Sequence, residues 1–316
     1  MKKNLRNCAW YTLTLSLMVF AFTIFALLGF KVRYIKPALI VSLLPQLFGL
    51  VYYLHDKRTA QPSAFMRTVL FLCRLSVLGV VSCLLIGVYS LSNEYHNNVP
   101  VTPADAQAYV TVEETDDLYI LYPNYTSVEL ETGIRPSRKD KSVLLCCGAA
   151  YQLDYSFGFT HEKICGDHVS HGQLYAGYKE PGLRMGAFAF YDGEYRFASP
   201  EEAETLVLTA AERGGCALFQ QSVIENGEIT EIPSRKCRCY RMLTELNGKL
   251  CIIDSKKPCY FSDFAAAAIE LGVRQALNLD MGSGWNYSWY RNSAGKVKTL
   301  IGLPWPFSHN WLAFIG

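Results

Sequence analysis

With 316 residues, a net charge of +2 and a pI near 7.9, the chain has room for two modest domains or for one domain and an anchor. The balanced charge comes with no basic face interleaved with aromatics, which excludes nucleic acid as a partner. Eleven cysteines are too sparse to staple a small scaffold, and a domain of this size does not need one.

The first third is apolar. Runs at Trp10 to Phe30, Pro37 to Leu54 and Thr68 to Leu91 approach the roughly 20 residues a helix needs to cross a bilayer core. The second is shorter and interrupted by Pro37, Pro45 and Gln46. Lys2, Lys3, Arg6, Lys57, Arg58 and Arg67 flank one side of a three-span arrangement, against Lys31, Arg33 and Lys36 on the other. The excess of basic residues marks the cytoplasmic side. Residues 1–92 are thus expected to be an all-α transmembrane anchor in the lipid bilayer, with the remainder outside the cytoplasm. Residues 93–107, polar with two prolines, read as a linker.

From residue 108 short strand-like runs follow at Tyr109 to Val112, Leu118 to Tyr122, Val128 to Glu131 and Val143 to Cys147. Cys146, Cys147, Cys216 and Cys251 sit in such runs as small hydrophobes. Asp192-Gly193 predicts a hairpin turn. Ser199-Pro200-Glu201-Glu202 reads as a capping box opening a helix that ends at Gly214. Further strands are expected around 217–221, 228–232, 239–245 and 250–254, with Asn226-Gly227 and Asn247-Gly248 as turns. A second helix is expected over Ser262 to Leu271, then a buried strand at Gln275 to Leu279 and two or three short strands to the end. Strands outnumber helices without regular βαβ alternation. The fold class expected for 108–316 is α+β, a mixed or antiparallel sheet domain with few helices.

Three stretches can carry chemistry. In Ala276-Leu277-Asn278-Leu279-Asp280-Met281-Gly282-Ser283-Gly284-Trp285 a strand ends on a carboxylate and glycines follow, a pattern that lets a ligand approach the backbone. Asp280 capping a turn is the plain alternative. In SRKCRCYR, Arg235 and Arg238 point to opposite faces of an extended chain, so one can fork onto a phosphate while the other stays in solvent. In HEKICGDHVSH, His161, His168 and His171 with Cys165, Glu162 and Asp167 have the residue types of a metal site but no recognised zinc spacing. Gln221-Ser222 offers short polar groups after a strand.

Taken in order, these motifs resemble the phosphodiester glycosidase family, which includes the enzyme that uncovers mannose 6-phosphate. ALNLDMGSGW is similar to that family's strand ending in Leu-Asp-Gly-Gly and a serine. Leu218 to Ser222 with Asn226-Gly227, RKCR, Asn247-Gly248-Lys249 and Tyr260-Phe261-Ser262-Asp263-Phe264-Ala265 fall in the family's order. GDHVSHGQLYAGY and HNWLAF resemble a branch found in Bacteroides-type bacteria. The resemblance implies hydrolysis of a sugar-1-phosphodiester, a carbohydrate phosphodiester substrate and no cofactor, the metal question being left open. It points to Asp280, Asp167 and His168 as catalytic. Substrate binding falls to Arg238, Gln221, Ser222, Gly282, Ser283 and Trp285. Met281 departs from the pattern where a glycine is usual, and Cys146-Cys147-Gly148-Ala149-Ala150-Tyr151 replaces an Asn-Gly-Gly-like turn. Two rival functions remain at this point: a glycan-binding module using Trp285, Trp289, Trp305 and Trp311, and a metal-dependent hydrolase built on the histidines.

Overall fold

The computed structural model describes residues 108–153, 159–282, 288–301 and 308–316. The chain divides into two units, Met1–Asn93 and Glu94–Gly316, and every described residue belongs to the second. The three candidate spans and the 93–107 linker lie outside the described residues. Among the described residues no helix is long and apolar enough to cross a membrane.

The opening strands form where the patterning predicts them: β1 (Val110–Glu114), β2 (Leu118–Pro123), β3 (Ser127–Thr132) and β4 (Val143–Gly148). A 3₁₀ turn at His161–Lys163 leads to β5 (His168–Ser170) and β6 (Gln173–Tyr175), a hairpin in a stretch that reads as a polar loop. Then come β7 (Met185–Tyr191) and β8 (Glu194–Ala198), turned at Asp192-Gly193, where both residues have positive φ. Helix α1 (Ala203–Glu212) starts three residues later than the sequence predicts. Glu202 stands at the cap without a side-chain bond, and the Ser199 hydroxyl engages Glu201 instead of the helix end.

The chain continues through β9 (Cys216–Glu225), β10 (Glu228–Ile229), β11 (Arg241–Leu246), β12 (Lys249–Ser255), α2 (Phe261–Glu270) and β13 (Ala276–Asn278). It closes with β14 (Ser288–Arg291), β15 (Val297–Ile301) and β16 (Asn310–Ile315). The main run of the large sheet is β1-β2-β12-β11-β13-β9-β5-β6, with β7, β8 and β10 attached through β9. A five-stranded sheet follows the order β15-β14-β4-β16-β3. Every pairing between these strands is antiparallel.

Three layers result. Leu130, Leu145, Cys147, Leu312 and Phe314 of the small sheet pack on Leu121, Phe188, Leu218, Leu243 and Leu277 of the large one. On the other face of the large sheet, α2 buries Phe261, Phe264, Ala265 and Ala268, residues at helical spacing along one stripe. Helix α1 covers β7 and β9 with Ala203, Val207 and Ala210. Trp289 and Trp311 are both buried in a small core with Val143, Cys146 and Ala313. Neither has a ring free to stack on a sugar, which removes them from the glycan-binding reading. The eight described cysteines are free thiols, and Cys146, Cys147, Cys216 and Cys251 are buried as expected.

One ion pair sits wholly inside this core. Arg241 Nε and Nη2 donate to Asp254 Oδ1 and Oδ2 at 2.6 Å each, across the β11–β12 pairing, and neither side chain is exposed. Arg241 Nη2 also donates to Ser288 Oγ at 2.5 Å, tying the large sheet to β14 of the small one. Burial opposes the guanidinium's charge, but Asp254 outweighs it and holds the Arg241 pKa above its usual value. Removing one partner strands the other without compensation, which costs about 3–5 kcal/mol. Asp254→Ala is therefore expected to lower stability by that amount in denaturant unfolding, and a variant as stable as the parent would show the pair to be dispensable.

Candidate active site

The site follows from a discontinuity along one edge of β9. Strand β5 pairs with β9 at Ala217 and Leu218, and β13 pairs with it at Ser222 and Ile224. Strand β7 runs along the opposite edge from Cys216 to Gln221. Residues 219–221 thus lie between the start of β5 and the end of β13, in a notch that both strands border. Gly166, just before β5, crosses so close to β9 that a β-carbon there would collide with Phe219 Cβ.

Backbone groups in such a notch need partners. The Gln221 N–H bonds to the side-chain Oε1 of its neighbour Gln220 (2.8 Å), and Gln220 Nε2 donates to Ala149 O (3.1 Å). Ala149 O also accepts from Asp280 N–H at 2.9 Å. The segment after β4 therefore enters the notch and stitches β9 to the end of β13. Asn310 holds that segment from behind, accepting from Ala150 N–H (2.6 Å) and donating to Ala150 O (3.1 Å).

Tyr151 is the hub. Its hydroxyl donates to Gln221 Oε1 at 2.9 Å and accepts a short hydrogen bond from Asn278 Nδ2. Its carbonyl accepts from Cys165 N–H at 2.7 Å. Gln221 Nε2 passes the chain on to Glu231 Oε2 at 2.6 Å. Burial raises the Tyr151 pKa; the Asn278 bond opposes this, the Asp280 charge adds to it, and Arg238 counteracts. The phenol thus stays protonated and feels both charged groups. Tyr178 is also raised, by burial first, with Asp280 among the lesser causes.

Asp280 is 7% exposed and accepts from Gly282 N–H at 2.7 Å through Oδ1. Gly282 has φ +52°, and apart from its chain neighbours no described atom lies within 4 Å of where its β-carbon would be. Met281 is buried. Arg238 Nη1 donates to Gly282 O at 2.9 Å, its guanidinium lying 5.2 Å from the Tyr240 ring centroid. Arg238 is anchored by exchanging backbone hydrogen bonds with Cys259 (3.0 and 3.1 Å), while Arg235 is exposed.

The remaining expected residues fall at varying distance from this centre. Ser222 is buried on β9, its hydroxyl making no well-formed bond but helping, after Arg184, to hold the Glu225 carboxyl down. Asp167 borders the notch on the β5 side, where its Oδ1 accepts from Gly177 N–H at 3.1 Å. His168 is fully buried. Its Nδ1 faces Gly166 O (3.2 Å), which can only accept, so that nitrogen carries the proton and Nε2 accepts from His161 Nδ1 at 3.0 Å. The charges acting on His168 are those of His161 and Asp167. Ser283 and Trp285 lie outside the described residues. His161 and His168 are paired, with His161 also stacked on Tyr175, but His171 does not join them and reaches Glu131 at 3.2 Å. Among the described residues no group of three or more His, Cys, Asp or Glu is placed to hold a metal.

Sequence reasoning missed Tyr151, Gln220, Asn278 and Glu231. Only Asn278 carried a local signal, since it stands two residues before Asp280 and so shares its face of the strand.

No family model matches the chain, and no curated protein matches it. Among solved structures, it is similar to the catalytic domain of zebrafish N-acetylglucosamine-1-phosphodiester alpha-N-acetylglucosaminidase, auto-inhibited by its pro-peptide. The TM-score is 0.47 and the identity 14%, over 70% of this chain and 86% of that one. A likeness at that level carries no weight for chemistry, and the reading of the notch rests on its own residues.

Burial lowers the His168 pKa from 6.5 to about 4. As pH falls below 6.5 the unfolded chain takes up a proton that the folded state refuses until about pH 4. Stability is therefore complete above pH 6.5 and is lost toward pH 4, by about 3 kcal/mol from this group. Unfolding of His168→Gln at pH 7 and 4.5 is expected to show a shallower loss than the parent; equal slopes would contradict the assignment.

Proposed function

We propose that residues 108–316 hydrolyse a sugar-1-phosphodiester in this notch, breaking the C1–O bond to release the sugar and leave a phosphomonoester. The observation that carries the reading is that the Asp280 carboxylate and the Arg238 guanidinium both bond to the backbone of Gly282, at 2.7 and 2.9 Å.

The roles follow from charge. Arg238 neutralises the phosphodiester with a planar fork of donors. Asp280, at a fixed strand end, acts at the anomeric carbon, as nucleophile or as base for the attacking water. A phosphomonoester ionises a second time near pH 6, so it departs as an anion that needs a cation more than a proton. One carboxylate beside one guanidinium meets that demand. The buried Asn278 Oδ1, which has no hydrogen-bond partner among the described residues, offers an acceptor for a sugar hydroxyl, and the protonated Tyr151, whose proton goes to Gln221, holds Asn278 in place. Gln221 is engaged at both ends and positions Tyr151. Where Asp280 attacks the anomeric carbon, Asp167 on the β5 side takes the proton of the water that then releases the sugar, and His168, neutral above about pH 4, holds that segment to His161. Gly282, Ser283, Trp285 and Ser222 are assigned to substrate binding.

The distribution of basic residues supports placing this domain outside the cytoplasm on a three-span anchor, so the substrate belongs to an envelope glycan or glycoconjugate. A panel of sugar-1-phosphodiesters tests the reaction. Asp280→Asn is expected to lower kcat by about 10²–10⁴ without changing the unfolding midpoint. Arg238→Met is expected to lower kcat/KM by roughly 10- to 150-fold, the value of a charge-assisted contact. Full turnover by a folded Asp280→Asn protein would remove the carboxylate from the mechanism.

A further inference from the structure

A second concave site lies at the other end of the large sheet. A cavity of about 400 Å³ is lined by Tyr109, Tyr122, Tyr125 and Tyr195 with Asn124 and Lys249. Lys249 opens β12 just past Leu246, the far end of β11, whereas Arg241 at the near end lies beside the notch. That length of strand separates the two sites by about 15–20 Å.

Four tyrosines around one cavity are unusual for a sheet end that only needs to be wetted, and at least two are fixed by the core. Tyr125 is held edge-on by Phe190 and Phe314, with centroids 5.9 and 5.5 Å away. Tyr195 is edge-on to Phe197 at 6.2 Å, and its hydroxyl donates to Glu245 Oε2 at 2.9 Å. Tyr109 is the more open ring, 36% exposed. Burial pushes the Tyr122 and Tyr125 hydroxyls up to about 12, so both remain O–H donors at any physiological pH. The cavity therefore presents rigid aromatic surface rimmed by hydroxyls, an amide and one ammonium. Its size is within the usual range for small-ligand sites.

We propose that this cavity is a saccharide-binding site, separate from the notch, that takes one or two units of a neutral glycan. A pyranose matches such a lining because it carries C–H faces for the rings and a rim of hydroxyls for the polar groups. Prefixed tyrosines lose little freedom on binding. One lysine with no guanidinium in the lining does not make a phosphate site. The assignment does not depend on the chemistry of the notch.

The test is binding rather than turnover. The full chain is titrated with maltotetraose, cellotetraose and chitotetraose by calorimetry and saturation-transfer NMR. At least one is expected to bind in the millimolar range or tighter. Tyr109→Ala and Lys249→Ala, both at exposed positions, are each expected to weaken it about tenfold, the scale of one good contact. Asp280→Asn is expected to leave it unchanged. Absence of binding to all three glycans, binding that both cavity variants retain in full, or binding lost in Asp280→Asn would overturn the proposal.

Discussion

Backbone amides on a sheet edge must be satisfied by something, and along one edge of β9 strand pairing lapses over three residues, two of which turn their amides to that edge. Strand β5 stops short at Leu218 and β13 begins at Ser222, leaving Phe219, Gln220 and Gln221 between them. The Gln220 side chain closes part of that gap by bonding its neighbour's N–H and the Ala149 carbonyl. Because Ala149 is fixed there, Tyr151 is delivered to Gln221 and Asn278, and Asp280 is held by its own N–H to the same carbonyl. The interruption that costs the sheet its ladder hydrogen bonds is what brings these polar side chains together on rigid elements. Function built on strand ends rather than on free loops keeps its geometry.

The buried Arg241–Asp254 pair supports this arrangement from below. Arg241 is the residue whose carbonyl accepts from Leu279 N–H at 3.0 Å, immediately before the candidate carboxylate. Its guanidinium reaches Ser288 in the other sheet, so the end of β13, strands β11 and β12 and the small sheet are tied at one point. An ion pair in a dry core is a poor source of net stability compared with apolar packing. Its contribution here is directional, since it fixes how the two sheets meet beside the notch.

Much of the strand pattern was legible. The runs leading to β1–β4 alternate or are wholly apolar, and Asp192-Gly193, Asn226-Gly227 and Asn247-Gly248 all take the positive φ values that their turns require. The β5–β6 hairpin was not legible, because its strands are three residues long and its turn uses His171 (φ 50°) where asparagine is the usual signal. Strand β10 is two residues long, against an expected five, because 230–240 turns away to form the segment that carries Arg238. The late start of α1 came from Ser199 choosing Glu201 over the helix end. At the site, the strand-end carboxylate was visible as a local pattern. Tyr151 was not, since it joins Asn278 across 127 residues of sequence. Contacts of that kind are set by topology and leave no local signature.

The central claim is that the notch breaks the bond between an anomeric carbon and a phosphate oxygen, with Asp280 and Arg238 on either side of it. Hydrolysis of a sugar-1-phosphodiester in ¹⁸O-labelled water reads that bond directly by mass spectrometry of both products. Label in the hydroxyl at C1 of the released sugar, with unlabelled phosphomonoester, is the predicted result. Label in the phosphate would mean attack at phosphorus, and would contradict the account.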